Sequence, residues 1–152
     1  PSTNLSLGSR TWVLYSWYEA PSPAAYDLSI QENGLILGFG NTNYYGLFNG
    51  TSYSPVNVGT TKGCYVASEN SLNSQNMFHN GSSVITTTKN SNAYNGNMYV
   101  GGSNFSPPNP AGAISARGYN FVGIGEGLTS TQQGILSTII NDFQTSLGRN
   151  TY

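Results

Sequence analysis

The feature that most constrains this chain is its end, where one helical segment follows a long stretch of β-like sequence. Thr129 and Gln132 have the spacing of a capping box, in which each side chain satisfies a free backbone N–H at a helix start. Gly148 stands where a helix C-terminus favours a left-handed residue. Large apolar residues recur at helical spacing between them: Ile135, Leu136, Ile139, Ile140, Phe143 and Leu147. The pattern predicts one helix, Ser130 to Leu147, whose apolar stripe packs on the rest of the protein or on a partner.

The sequence before this helix alternates short β-like runs with turn signals. Asn33-Gly34 and Asn80-Gly81 each lie between two such runs and tolerate positive φ, so both predict hairpins. The predicted strands are residues 9–18, 26–31, 35–39, 43–48, 62–68, 75–79, 84–88, 98–101 and 119–125. The first of these is apolar on both faces, which favours a central strand. Short strands at regular intervals, with no fixed-period repeat, indicate an all-β sandwich or barrel.

The composition is poor in charge and rich in neutral polar residues. Only 7% of the residues are charged, against roughly 25% in soluble domains. Asn, Ser and Thr together supply 53 residues, which suits a β-protein with neutral polar side chains outside. The net charge is −1, and the basic residues are scattered: Arg10, Lys62, Lys89, Arg117 and Arg149. We therefore expect no nucleic-acid partner, and the lack of a long apolar run predicts no membrane insertion.

The chain has one cysteine and one histidine, which limits the metal sites that it could form. Cys64 is followed by Tyr65 and Val66, so it is predicted to be a buried, unpaired strand residue. His79 adjoins the Asn80-Gly81 turn and is predicted to be a solvent-exposed hairpin residue. Zinc requires several His or Cys ligands, so no zinc site is expected.

Two closing motifs carry a resemblance to a known family. Ile124 to Thr129 (IGEGLT) and Phe143 to Arg149 (FQTSLGR) resemble the last strand, turn and helix of laminin-G-like domains in the concanavalin A-like lectin/glucanase superfamily, in particular versions at the ends of phage and bacterial surface proteins. Met77 to Gly81 (MFHNG) is similar to a hairpin of that family, and Asn97 to Gly102 (NMYVGG) to its short Tyr-containing strand.

The resemblance covers residues 60–149 and, more loosely, residues 5–59. It implies an all-β fold, a two-sheet antiparallel jelly-roll sandwich with one C-terminal helix, in a single domain over residues 1–152. The family has further strands before the segment matched by Leu5 to Gly8, so we expect this domain to lack N-terminal strands. Exposed strand edges would then be covered by other copies or by an N-terminal portion of the same assembly. The alternative is that the predicted strands close a smaller sandwich by themselves.

The superfamily includes glucanases, so a glycosidase must be considered. Retaining glycosidases need two carboxyls about 5 Å apart, and the glucanases of this fold carry theirs on one strand in a Glu-x-Asp-x-x-Glu pattern that this chain lacks. Asp27 and Glu32 are the closest pair, and their spacing puts them on opposite faces of a strand. We therefore predict that the chain is not an enzyme and assign no catalytic residue.

No cofactor is predicted, and calcium is considered only because laminin-G-like domains often bind it. Asp27 is the one acid in a suitable strand-to-loop position. No Asp-x-Asp cluster accompanies it, so calcium is not indicated and no metal ligand is assigned.

Two aromatic segments are the candidate ligand-binding residues. Sugar sites in β-sandwich lectins combine an aromatic platform with amide and backbone groups, and the segment from Asn41 through Asn43, Tyr44 and Tyr45 offers both. Trp17 and Tyr18 form a second aromatic pair. The competing interpretation is that paired aromatics only stabilise a sheet, with Trp17 in the core.

The expected function is a non-catalytic recognition or adhesion module that binds a glycan or other cell-surface ligand. The expected location is extracellular or on a virion surface. The alternative is a purely structural part of a surface assembly, such as a capsid decoration or fibre segment, without a ligand. Binding to glycans favours the first hypothesis, and binding only to its own assembly favours the second.

Overall fold

The computed structural model describes residues 9–18, 25–30, 36–39, 44–45, 56–60, 62–71, 74–88, 98–102 and 117–150. Within them lie ten strands and one helix. The strands are β1 (Arg10–Tyr18), β2 (Ala25–Ile30), β3 (Ile36–Phe39), β4 (Tyr44–Tyr45), β5 (Val56–Asn57), β6 (Gly63–Ser71), β7 (Ser74–His79), β8 (Ser82–Thr87), β9 (Met98–Val100) and β10 (Gly118–Gly125). The helix α1 spans Ser130–Ser146.

The strands form two antiparallel sheets of five strands each. The helix-bearing sheet has the order β10-β1-β6-β7-β8, and the second sheet has the order β5-β4-β3-β2-β9. The first sheet and α1 belong to a compact unit of residues 5–19, 60–90 and 118–152, and the second sheet belongs to a unit of residues 1–4, 20–59 and 91–117. The predicted architecture of two antiparallel sheets with a C-terminal helix is therefore confirmed. β5 has no counterpart among the predicted strands.

The helix-bearing sheet is built on β1, which lies between β10 and β6 as a central strand, as predicted. Its odd-numbered residues Val13 and Tyr15 pack with Cys64 and Val66 of β6 and with Ile140 of α1. The alternate residues project to the opposite face, and these are buried as well: Trp12, Leu14, Tyr65 and Ala67. A strand that is apolar on both faces thus has both faces buried.

Helix α1 begins at Ser130 as predicted and ends at Ser146, one residue before the predicted end at Leu147. Thr129 accepts a hydrogen bond from the Gln132 N–H, while the Gln132 side chain accepts one from the Thr129 N–H at 2.8 Å. Gly148 has φ +67° just beyond the C-cap residue Leu147, and its N–H donates to the carbonyl of Thr145. The capping box and the left-handed glycine therefore determine the length of the helix.

The hairpin between β7 and β8 turns at Asn80 and Gly81, with φ of 50° and 79°. Positive φ at both positions is the requirement that Asn-Gly satisfies. The Asn80 Oδ1 also accepts a hydrogen bond from the N–H of Cys64 at 2.8 Å. Its side chain lies directly over Gly63, where a Cβ would come within 2.0 Å of Oδ1. One asparagine therefore makes the turn and caps the start of β6.

We predict that two substitutions distinguish the two roles of Asn80, which are to form the turn and to accept the hydrogen bond from Cys64. Asn80→Gly keeps the turn but leaves the buried Cys64 N–H without this acceptor, which lowers the free energy of unfolding by about 1–2 kcal/mol. Asn80→Ala adds the strain of a left-handed non-glycine residue, about 1 kcal/mol more. Urea unfolding of both variants measures this, and equal stability of Asn80→Ala and the wild type would contradict it.

Candidate functional site

Trp17, near the end of β1, is a large aromatic side chain on the surface of the helix-bearing unit. Its indole is 48% exposed and lies over the backbone of Gly118, the first residue of β10. A Cβ at position 118 would come within 2.2 Å of the indole Nε1 and 2.6 Å of Cε2. The indole ring can pack on the backbone at position 118 because glycine has no side chain there.

The pairing between β1 and β10 is irregular around Trp17. Tyr15 pairs with Phe121 and Ser16 with Tyr119, and the register shifts again before Tyr18 pairs with Gly118. Trp17 lies at this second shift. A bulge of this kind redirects a side chain and often lies beside a functional site. The interpretation of Trp17 as a core residue is wrong, because the residue is 48% exposed.

The structure describes no side-chain environment for the other candidate ligand residues. Tyr44–Tyr45 form β4, paired with β3 and β5 in the second sheet, and their side chains lie outside the described part of the structure. Asn41, Asn43 and the side chain of Tyr18 also lie outside it. Trp17 belongs to the helix-bearing unit and β4 to the other. Trp17 alone among the candidates thus has a described side-chain environment.

Two of the acids are engaged in buried ion pairs. Arg10 donates from Nε and Nη2 to Glu69 Oε2 at 2.9 and 2.8 Å, across the β1–β6 pair. Asp27 Oδ2 accepts a hydrogen bond from Arg117 Nη1, and both side chains are fully buried. Sequence reasoning missed both pairs, although Arg10 and Glu69 stand at the ends of two apolar strands that pair antiparallel.

The ion pair makes Asp27 a poor candidate for a calcium ligand. A calcium ligand needs a carboxylate open to the ion, whereas Asp27 is buried and bound by a guanidinium. Among the described residues, no group of three or more His, Cys, Asp or Glu side chains is placed to hold a metal ion. Glu126 and Asp142 are exposed, and Glu19 and Glu32 lie outside the described ranges.

His79 is buried, so its prediction as an exposed hairpin residue is wrong. It lies in β7, between β6 and β8, and its ring stacks on Tyr65 with centroids 4.3 Å apart. Its Nε2–H donates to the carbonyl oxygen of Lys62 at 2.9 Å. Burial lowers the pKa of His79 below its ordinary value, an effect that the bond to Lys62 partly opposes. The pairing of β7 with β6 and β8 places His79 in the interior, one residue before the Asn80-Gly81 turn.

The buried histidine predicts a specific pH dependence. Because the pKa of His79 is lower in the folded chain, the unfolded chain binds its proton first as the pH falls below 6.5. The contribution of neutral His79 to the free energy of unfolding is therefore fully present above pH 6.5. It is lost as the solution is acidified toward the folded-state pKa. In His79→Gln this part of the pH dependence disappears. Denaturant unfolding between pH 7 and 5 measures it, and identical slopes in the two proteins would contradict the assignment.

Cys64 is buried and unpaired, as predicted. Burial raises the pKa of its thiol to about 12, an effect that the nearby Ser137 side chain opposes to a smaller extent. A thiol that stays protonated is a poor nucleophile. Cys64 therefore acts as a core residue between β6 and α1.

Comparison with known proteins yields no family model, curated protein or solved structure that matches this chain. Within the described residues, no helix has the length and apolar character needed to cross a membrane. The resemblance to laminin-G-like domains stays a prediction.

Proposed function

We propose that this protein is a non-catalytic recognition or adhesion module whose glycan-binding platform is Trp17. The observation that carries the proposal is the half-exposed indole seated on Gly118 at a bulge in the β1–β10 pair. A large rigid aromatic face offers apolar contact area at low cost in conformational entropy. Pyranose rings present a C–H face that packs on such a surface.

The charge distribution favours a neutral ligand. The chain has 5 basic and 6 acidic residues, and four of these eleven are used in the two buried ion pairs. Asn, Ser and Thr supply neutral donors and acceptors, which suit the hydroxyl groups of an uncharged sugar. An extracellular or virion-surface location fits this composition and the resemblance at the end of the chain.

The proposed fold is a concanavalin A-like jelly roll. Two antiparallel five-stranded sheets and the closing helix support this, together with the motifs IGEGLT and FQTSLGR. In this reading residues 1–152 form a single domain.

Binding to a glycan array, followed by calorimetry on the best glycan, tests the function. We predict that Trp17→Ala weakens binding at least about tenfold, the loss expected for a truncated aromatic anchor. Gly118→Val, which displaces the indole from its seat, weakens binding similarly. Phe143→Ala removes an exposed aromatic of the helix and serves as the matched control with unchanged affinity. Equal affinity of Trp17→Ala and the wild type would rule out the platform.

The same glycan is expected to be bound and not cleaved. In the described part of the chain, Asp27 and Glu69 are bound by buried arginines. Retaining hydrolysis requires two free carboxyls about 5 Å apart. Chromatography of the glycan after prolonged incubation checks this, and release of shorter sugars would overturn the non-catalytic assignment.

A purely structural role in a surface assembly is the second candidate. It is favoured by a separate observation, the apolar side chains that α1 exposes.

A further inference from the structure

The side of α1 that packs on the sheet is largely polar. The buried residues of the helix are Gln133, Ser137, Ile140 and Gln144, of which Ile140 alone is apolar. They recur every three or four residues, so they lie along one side of the helix. Leu136 adds a partly buried apolar contact with the core cluster around Cys64. Few apolar side chains therefore hold α1 against β6 and β7.

The contact also buries amide groups that have no hydrogen-bond partner. Gln144 is fully buried, and within the described part of the chain neither its Oε1 nor its Nε2 is hydrogen-bonded. Gln133 Nε2 donates to the Leu128 carbonyl at 3.3 Å, but the buried Oε1 of the same amide accepts no hydrogen bond from the described residues. Unpaired buried polar groups cost free energy because they have given up hydrogen bonds to water. Separation of α1 from the sheet returns these groups to water.

The sheet retains a second buried face that does not involve α1. The Arg10–Glu69 ion pair lies on that face, across the β1–β6 pair. The hydrogen bonds that join β1 to β10 and to β6 run within the sheet and do not depend on the helix. Four fully or almost fully buried side chains share the face with the ion pair: Trp12, Leu14, Tyr65 and Ala67. The sheet can therefore stay folded when α1 moves away.

We propose that α1 is a detachable cover, which separates from β6 and β7 as a unit and returns while the sheet stays folded. Elements with few buried apolar contacts open locally at a lower free energy than the whole protein unfolds. The start of the helix stays anchored, because the Leu128 N–H donates to Ser68 Oγ at 2.6 Å.

The open form changes the environment of one reactive group. Cys64 packs with Ile140 in the core cluster beneath the helix. The closed form therefore hides the thiol, and the open form presents both the thiol and the polar side of α1 to solvent. Access to Cys64 is controlled by the position of one helix.

Labelling of Cys64 by a thiol reagent in increasing urea measures the opening. The reference is the labelling rate of the unfolded chain multiplied by the equilibrium constant for global unfolding, which circular dichroism gives. Below the unfolding transition, labelling is expected to be at least about 100-fold faster than this reference. It is also expected to depend weakly on urea, because opening exposes little surface.

A pair of methionine variants tests the physical cause. Gln144→Met keeps the size of the side chain and removes the unpaired amide, so it is expected to slow Cys64 labelling at least about fivefold. Thr138→Met places the same side chain on an exposed part of α1 and is expected to leave the rate unchanged. Circular dichroism shows whether both variants keep the helix.

Two results would overturn the proposal. One is labelling of wild-type Cys64 at the rate and with the urea dependence of global unfolding, which would mean that α1 does not separate by itself. The other is an equal change of the labelling rate in Gln144→Met and Thr138→Met. No glycan enters either measurement, so the outcome is independent of the proposed recognition function.

Discussion

The hydrogen bond between Ser68 and the backbone of Leu128 is the interaction on which the outer surface of this protein depends. It joins β6 to the turn between β10 and α1, and Gly127 beside it lies so close that a Cβ would come within 2.2 Å of the Glu69 carbonyl oxygen. The Gly127 N–H donates in turn to Ser9 Oγ at 3.0 Å. These contacts hold the segment before α1 against β6, while Ile135, Ile139 and Phe143 lie on an exposed side of the helix.

Buried ion pairs also constrain how the strands pair. Removing a charge from water is costly unless it is paired, and a wrong register would leave Arg10 or Glu69 buried alone. The pair therefore favours the one β1–β6 register that places them opposite each other. In the second unit, Asp27 of β2 is buried in an ion pair with Arg117, and its carbonyl accepts the Gly101 N–H at 2.8 Å. Four of the eleven charged residues are buried in these two ion pairs, which leaves few charged residues for the protein surface.

Local features of this fold could be predicted from the sequence because their causes are local. The capping box at Thr129 and the Asn80-Gly81 turn depend on residues within three positions of one another. Features that depend on pairing between distant segments could not. The register shifts beside Trp17 arise from pairing with β10, more than a hundred residues later. The burial of His79 results from its position between two strands, and the rotation of α1 from its anchor on β6. The apolar pattern of α1 correctly predicted a helix, but not which side of it faces the sheet.

The orientation of α1 is the central claim, since the packing of the helix-bearing unit depends on it. Single cysteines introduced along the helix and labelled at submicromolar concentration test it directly, because the one native thiol, Cys64, is buried and stays slow. The structure predicts fast labelling at positions 135, 139 and 143 and slow labelling at 133, 137 and 144. Slow labelling at 135, 139 and 143 with fast labelling at 133, 137 and 144 would show that the apolar stripe faces the sheet and would contradict the account.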